Sequence, residues 1–72
     1  MSDFIEQGVV KIIEVIGISE VSFEDAIQRG VAKAAESVKG ITGVEVQNMT
    51  ARVKDGKVIQ YHANMKLAFA VR

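Results

Sequence analysis

The sequence predicts an α+β fold of order β-α-β-β, a three-stranded antiparallel sheet curled around one helix, and three observations predict it. In the last quarter of the chain, apolar residues alternate with polar or small ones through Ile59, Tyr61, Ala63, Met65, Leu67, Phe69 and Val71. That is the period of a strand, at about two to three times the usual length. Just before it, Asp55-Gly56 stands between Lys54 and Lys57, the dipeptide that best tolerates the two positive φ angles of a type I′ hairpin turn. Upstream, the period changes to that of a single amphipathic helix. The last strand, residues 57–71, spans roughly 50 Å at about 3.3 Å per residue, against about 22–25 Å for a compact globule of this length. Such a strand must curl around something and project into a neighbour.

The first strand covers residues 9–17, rich in β-branched side chains and too short for a stable helix. Val9, Ile13 and Val15 share one side with Lys11, and Val10, Ile12 and Ile16 share the other with Glu14. Both sides are mostly apolar, so cover on both faces is expected, and a single small domain has only one helix to offer. The helix covers residues 22–39. Ser22 is the expected N-cap, Glu24 and Asp25 sit at the positive end of the helix dipole, and Ile27, Val31, Ala34, Ala35 and Val38 form the buried stripe. Gly40 is expected to end it. Gly30 in mid-helix costs about 1 kcal/mol relative to Ala and reads either as close approach of another backbone or as tolerance at an exposed site. The second strand covers residues 42–54. A two-residue turn sets Val46 opposite Met65, Val44 opposite Leu67 and Glu45 opposite Lys66, with Gln47 opposite Asn64 and Met49 opposite His62. A bulge would shift the parity beyond it.

Seventy-two residues make one domain, with residues 1–8 as an N-terminal extension, and a chain this small buries only about 60% of its unfolded surface. Cysteine is absent, which removes disulfides and thiol nucleophiles, and the single histidine removes His-rich zinc patterns. Oligomerisation is the remaining means of stabilisation; hydrophobic residues at 49% and a positive mean hydropathy agree. Nine basic and nine acidic side chains cancel, so nothing marks a nucleic-acid or membrane partner. Residues 1–8 carry acids rather than a basic n-region, and cytoplasm is the default location.

No catalytic constellation stands out. The carboxylates are scattered, no phosphate loop or EF-hand spacing occurs, and no serine lies near His62 in the chain; the expectation is a binding protein rather than an enzyme. His62, with Gln60, Asn64, Gln47 and Met49, offers amides and an apolar floor suited to a flat heteroaromatic ligand. The plainer reading is an ordinary sheet face turned to water or to a partner.

Lys11, the stretch Glu14-Val15-Ile16-Gly17 leading to Ser19, the helix start Ser22-x-x-Asp25-Ala26, Glu45-Val46, Asp55-Gly56, and Met65-Lys66-Leu67 before Phe69 together resemble the dodecin family, over nearly the whole chain. The resemblance implies a hollow homododecamer with tetrahedral symmetry that binds flavins in stacked pairs near two-fold axes, storing them rather than catalysing a reaction. By that alignment the flavin-stacking tryptophan falls at Gly43, followed by Val44 and Glu45, and the glutamine that holds the flavin's polar edge falls at His62. The chain has no tryptophan. The site implied is therefore Gly43, Val44, Glu45, Gln47 and His62, with riboflavin or FMN as the family's ligand. The alternatives are a flavin-free shell that binds calcium or another small ligand, since tryptophan-lacking relatives have been linked to calcium, and a purely structural assembly.

Overall fold

A computed structural model describes residues 8–71; of the expected N-terminal extension only Gly8 is among them. The elements are β1 (Val9–Ser19), α1 (Phe23–Ala35), β2 (Ile41–Lys54) and β3 (Lys57–Val71). They form one antiparallel sheet of order β1-β3-β2 with α1 across one face. The strand that comes last in sequence is thus central. Its full fifteen-residue length is realised, and the molecule is drawn out to 49 × 19 × 18 Å. Asp55 and Gly56 take φ of 52° and 77°, the pair of left-handed conformations a type I′ turn requires.

Ser22 caps α1 as its side chain type dictates: its backbone is extended, and its Oγ accepts from the Asp25 N–H at 3.0 Å, an interaction worth about 1 kcal/mol. The helix ends at Ala35, earlier than the expected Lys39. There the N–H groups of Glu36 and Ser37 donate to the carbonyls of Lys33 and Ala34 at 3.2 and 3.1 Å, tightening the last turn. Gly40 is left-handed at φ 80°, but its carbonyl accepts from the Ala70 N–H at 3.2 Å, so it launches β2 instead of closing the helix. The buried line of the helix is Ala26, Gly30 and Ala34, flanked by Ile27 and Val31, while Ala35 of the expected stripe is exposed.

Ala26, Ala63, Met65 and Leu67 are fully buried between helix and sheet, with Ile13, Val15, Ile27, Val31, Ala34, Ile41 and Val46 packed around them. Two glycines let the layers close. A Cβ on Gly17 would overlap the Ala26 carbonyl, and one on Gly30 would overlap the Met65 methyl and stand 3.4 Å from the Gly17 Cα. Gly30 is therefore a close-approach residue. Gly17 has the same role, which is why β1 passes through it to Ser19 rather than ending there.

The expected pairs Val44↔Leu67, Glu45↔Lys66 and Val46↔Met65 all form. From Asn48 to Arg52 the register is shifted by one residue, giving Asn48↔Asn64, Met49↔Ala63 and Thr50↔His62 in place of Gln47 opposite Asn64 and Met49 opposite His62, and a second shift between Arg52 and Val53 restores the expected register at Val53↔Val58 and Lys54↔Lys57. The cause is in the hydrophobic phase. Apolar residues of β2 occupy even positions at Val44 and Val46 but odd ones at Met49, Ala51 and Val53. One extra residue at Gln47 keeps both sets on the helix side, since a slip by one exchanges the faces.

Candidate functional site

The sheet face turned away from α1 is open along its length, and its residues fall into rows fixed by the register. Ile12, Ala68 and Gly43 form one row, Glu14, Lys66 and Glu45 the next, then Ile16, Asn64 and Asn48, then Ile18, His62 and Thr50; beyond β1, Gln60 faces Arg52. On β1 this face is apolar and bare, with Ile12, Ile16 and Ile18 about half exposed. The both-sided cover expected for β1 is supplied on the helix side alone within one copy.

The sequence-derived site residues divide as follows. Gly43 and His62 lie on the open face together, but their rows are six residues apart along β3, roughly 20 Å at the strand rise. One copy therefore cannot close a pocket on both. Glu45 shares that face, opposite Lys66, and accepts from the Gln47 side-chain amide at 2.8 Å; Gln47 itself is the bulged residue. Val44 points to the other side, opposite Leu67, where with Val31, Ile41, Thr42 and Gly43 it lines a shallow depression of about 240 Å³. His62 is half-buried, and its Nε2 lies 2.6 Å from the Gln60 Oε1. Gln60 so fixes the ring, and Thr50 and Arg52 stand across from the pair on β2; the bulge concealed Thr50 and Arg52 from a constant register.

A second polar group joins β1 to α1. The Ser19 hydroxyl, 3% exposed, donates to Asp25 Oδ2 at 2.6 Å and accepts from the Val21 N–H at 2.9 Å, while Arg29 Nε donates to the same Asp25 oxygen. The Ser19 hydrogen bond, then the Arg29 hydrogen bond, hold the Asp25 carboxyl below its ordinary value of 3.8. Every member is partnered, so the group fixes the turn and leaves no group idle for chemistry. The i, i+4 spacing of Asp25 and Arg29 was a legible sign of it. Among the described residues, no three His, Asp or Glu side chains converge to hold a metal ion. Among the described residues, no helix is long and apolar enough to cross a membrane.

An isolated copy offers open faces, whereas small-molecule sites bury most of their ligand between walls. Fold and surface together describe a thin β-α-β-β layer whose sheet face away from the helix is bare. The chain belongs to the dodecin family, whose model, described as Dodecin, matches residues 9–72. Among solved structures it is similar to a dodecin from Streptomyces coelicolor, with 22% identity over 94% of this chain and 97% of that one and a TM-score of 0.88; at that identity the likeness shows the fold. It is similar to a mutant of the Thermus thermophilus dodecin, 26% identical over 89% of this chain and 96% of that one, with a TM-score of 0.85. It is also similar to the calcium-chelating immunodominant antigen of Mycobacterium tuberculosis, a calcium dodecin with a novel calcium-binding site, at 32% identity over 90% of this chain and 93% of that one and a TM-score of 0.77. No curated protein sequence matches the chain.

Proposed function

We propose that the chain is a non-enzymatic binding and storage protein that assembles as a hollow homododecamer and holds a planar heteroaromatic ligand, riboflavin or FMN, between copies. The observation that carries this reading is the spacing of Gly43 and His62: they share a face, and they meet around one ligand only if different copies supply them. His62, oriented by Gln60, offers a ring and a hydrogen-bonding nitrogen to the ligand's polar edge. Gly43 leaves an open floor where the family's tryptophan would stack. Titrating riboflavin and FMN with the purified protein and following flavin fluorescence tests it: quenching that saturates in step with subunit concentration supports flavin storage, and unquenched flavin overturns it.

A second reading is favoured by the likeness to the calcium dodecin together with the missing tryptophan. In that reading the shell holds calcium, with carboxylates such as Glu14 and Glu45 brought together across symmetry axes. Calorimetric titration with calcium chloride separates the two: heat that saturates with calcium and unquenched flavin favour the ion.

A further inference from the structure

We propose that His62, with its tautomer fixed by Gln60, selects a ligand that presents a cyclic imide edge, a ring N–H between two carbonyls, and releases that ligand when the imidazole is protonated. This rests on the flavin reading above and names the edge of the ring that is recognised and the charge state that recognises it.

One contact sets the tautomer. His62 Nε2 lies 2.6 Å from Gln60 Oε1, and a carbonyl oxygen only accepts, so Nε2 carries the ring proton and donates it. Nδ1 of the neutral ring is then a lone-pair acceptor. Among the described residues Nδ1 has no hydrogen-bond partner, and no buried side-chain nitrogen or oxygen is left unpaired, so Nδ1 stays accessible. Strand alternation puts the ring on the open face: Ala63 and Met65 are fully buried on the helix side, and His62 stands between them in number with Ile18 and Thr50 in its own row.

The groups around Nδ1 are donors. Gln60 gives its oxygen to Nε2 and keeps its amide N–H groups, Thr50 opposite His62 brings a hydroxyl, and Arg52 opposite Gln60 brings a guanidinium. One acceptor among donors is the complement of an imide edge, which reads acceptor, donor, acceptor and which riboflavin and FMN carry. It opposes the edge of a pterin or guanine, where an amino group replaces one carbonyl and would meet donors.

Protonation reverses the selection. Histidine gains its second ring proton between about pH 5 and 8, and both nitrogens are then donors, so an N–H of the imidazolium would face the N–H of the imide. From β1 the ring faces Ile18, from β2 Thr50 and, one row on, Arg52, and from β3 Gln60 and Asn64. Glu20 follows the end of β1 at Ser19, Glu14 and Glu45 stand two rows away beside Lys66, and on α1, across the sheet, Asp25 and Arg29 pair with each other.

Riboflavin and its N3-methyl derivative, which keeps both carbonyls and loses the N–H, are titrated in parallel with the assembled protein by flavin fluorescence at about pH 8. Riboflavin is expected to bind more tightly by at least about fivefold, because the methyl group leaves Nδ1 unpaired. Riboflavin has no phosphate to titrate, and at about pH 5 its affinity is expected to fall by at least about tenfold in wild type and to stay level in His62→Gln, whose amide does not titrate. In Gln60→Glu the carboxylate favours the imidazolium, so the loss is expected at higher pH with the assembled mass unchanged; an unmoved midpoint would overturn the role given to Gln60. Equal binding of the two flavins, or the same acid loss in His62→Gln, overturns the inference and leaves flavin storage standing. Unquenched riboflavin at the higher pH overturns both.

Discussion

Replacing Gly43 by tryptophan tests whether the open face is a stacking surface that lacks only its platform. Gly43 has no positive φ, and a Cβ built on it meets only the Ala68 Cβ, at 3.7 Å, which is ordinary contact. The backbone therefore accepts a side chain here at little cost, and the indole would lie on the open face above Ala68. Stacking a flat ring on an aromatic side chain contributes about 1–3 kcal/mol, so riboflavin affinity should rise about 5- to 150-fold over wild type, at 1.4 kcal/mol per tenfold. Parallel fluorescence titrations of the two proteins read the difference directly, with light scattering to confirm equal assembly. Equal affinity at equal assembly would refute the assignment of the ligand to this face.

His62→Ala should weaken riboflavin or FMN by about 2- to 13-fold, the worth of one hydrogen bond of 0.5–1.5 kcal/mol, and leave the assembled mass unchanged; dissociation would instead make His62 an interface residue. Gly17→Ala should destabilise the protein by about 3 kcal/mol, because the added carbon meets the Ala26 backbone carbonyl and overpacking is costly where backbone must move. Gly30→Ala should be close to neutral, since the flexible end of Met65 can yield and the helix gains about 1 kcal/mol in propensity; denaturant midpoints at one protein concentration compare the two. The folded Asp25 carboxyl is held below its ordinary value of 3.8, so its contribution is present above about pH 4 and is lost as pH falls through the lower folded value. Asp25→Asn should flatten that acid branch of the melting temperature between about pH 2 and 5, and an unchanged acid branch would show that other carboxylates govern it.

Most of the fold could be read from local chemistry. The type I′ turn, the Ser22 cap and the long alternation of β3 each rest on interactions between near neighbours, and the register next to Val44 and Val46 follows from apolar pairing alone. The departures have causes outside the local pattern. Gly17 looks like a strand terminator until the Ala26 carbonyl is brought against it by packing. Gly40 looks like a helix stop, although the chain between Ala35 and Gly40 has already left the helix to reach β2. The bulge at Gln47 was legible in the phase slip between Val46 and Met49, which a constant register overlooks. The site was less legible because the sheet face gives residue types and the register gives their spacing. Gly43 and His62 share a side in any correct register, yet only the row count shows that they stand too far apart to serve one ligand within one copy.

The most direct test of the account is the mass of the wild-type protein in solution by multi-angle light scattering at ordinary salt. The account predicts a single species of about 94 kDa for twelve 7.8 kDa chains in closed symmetry. A monomer or dimer would contradict it, because no single copy brings Gly43 and His62 to one ligand or covers the bare face of β1.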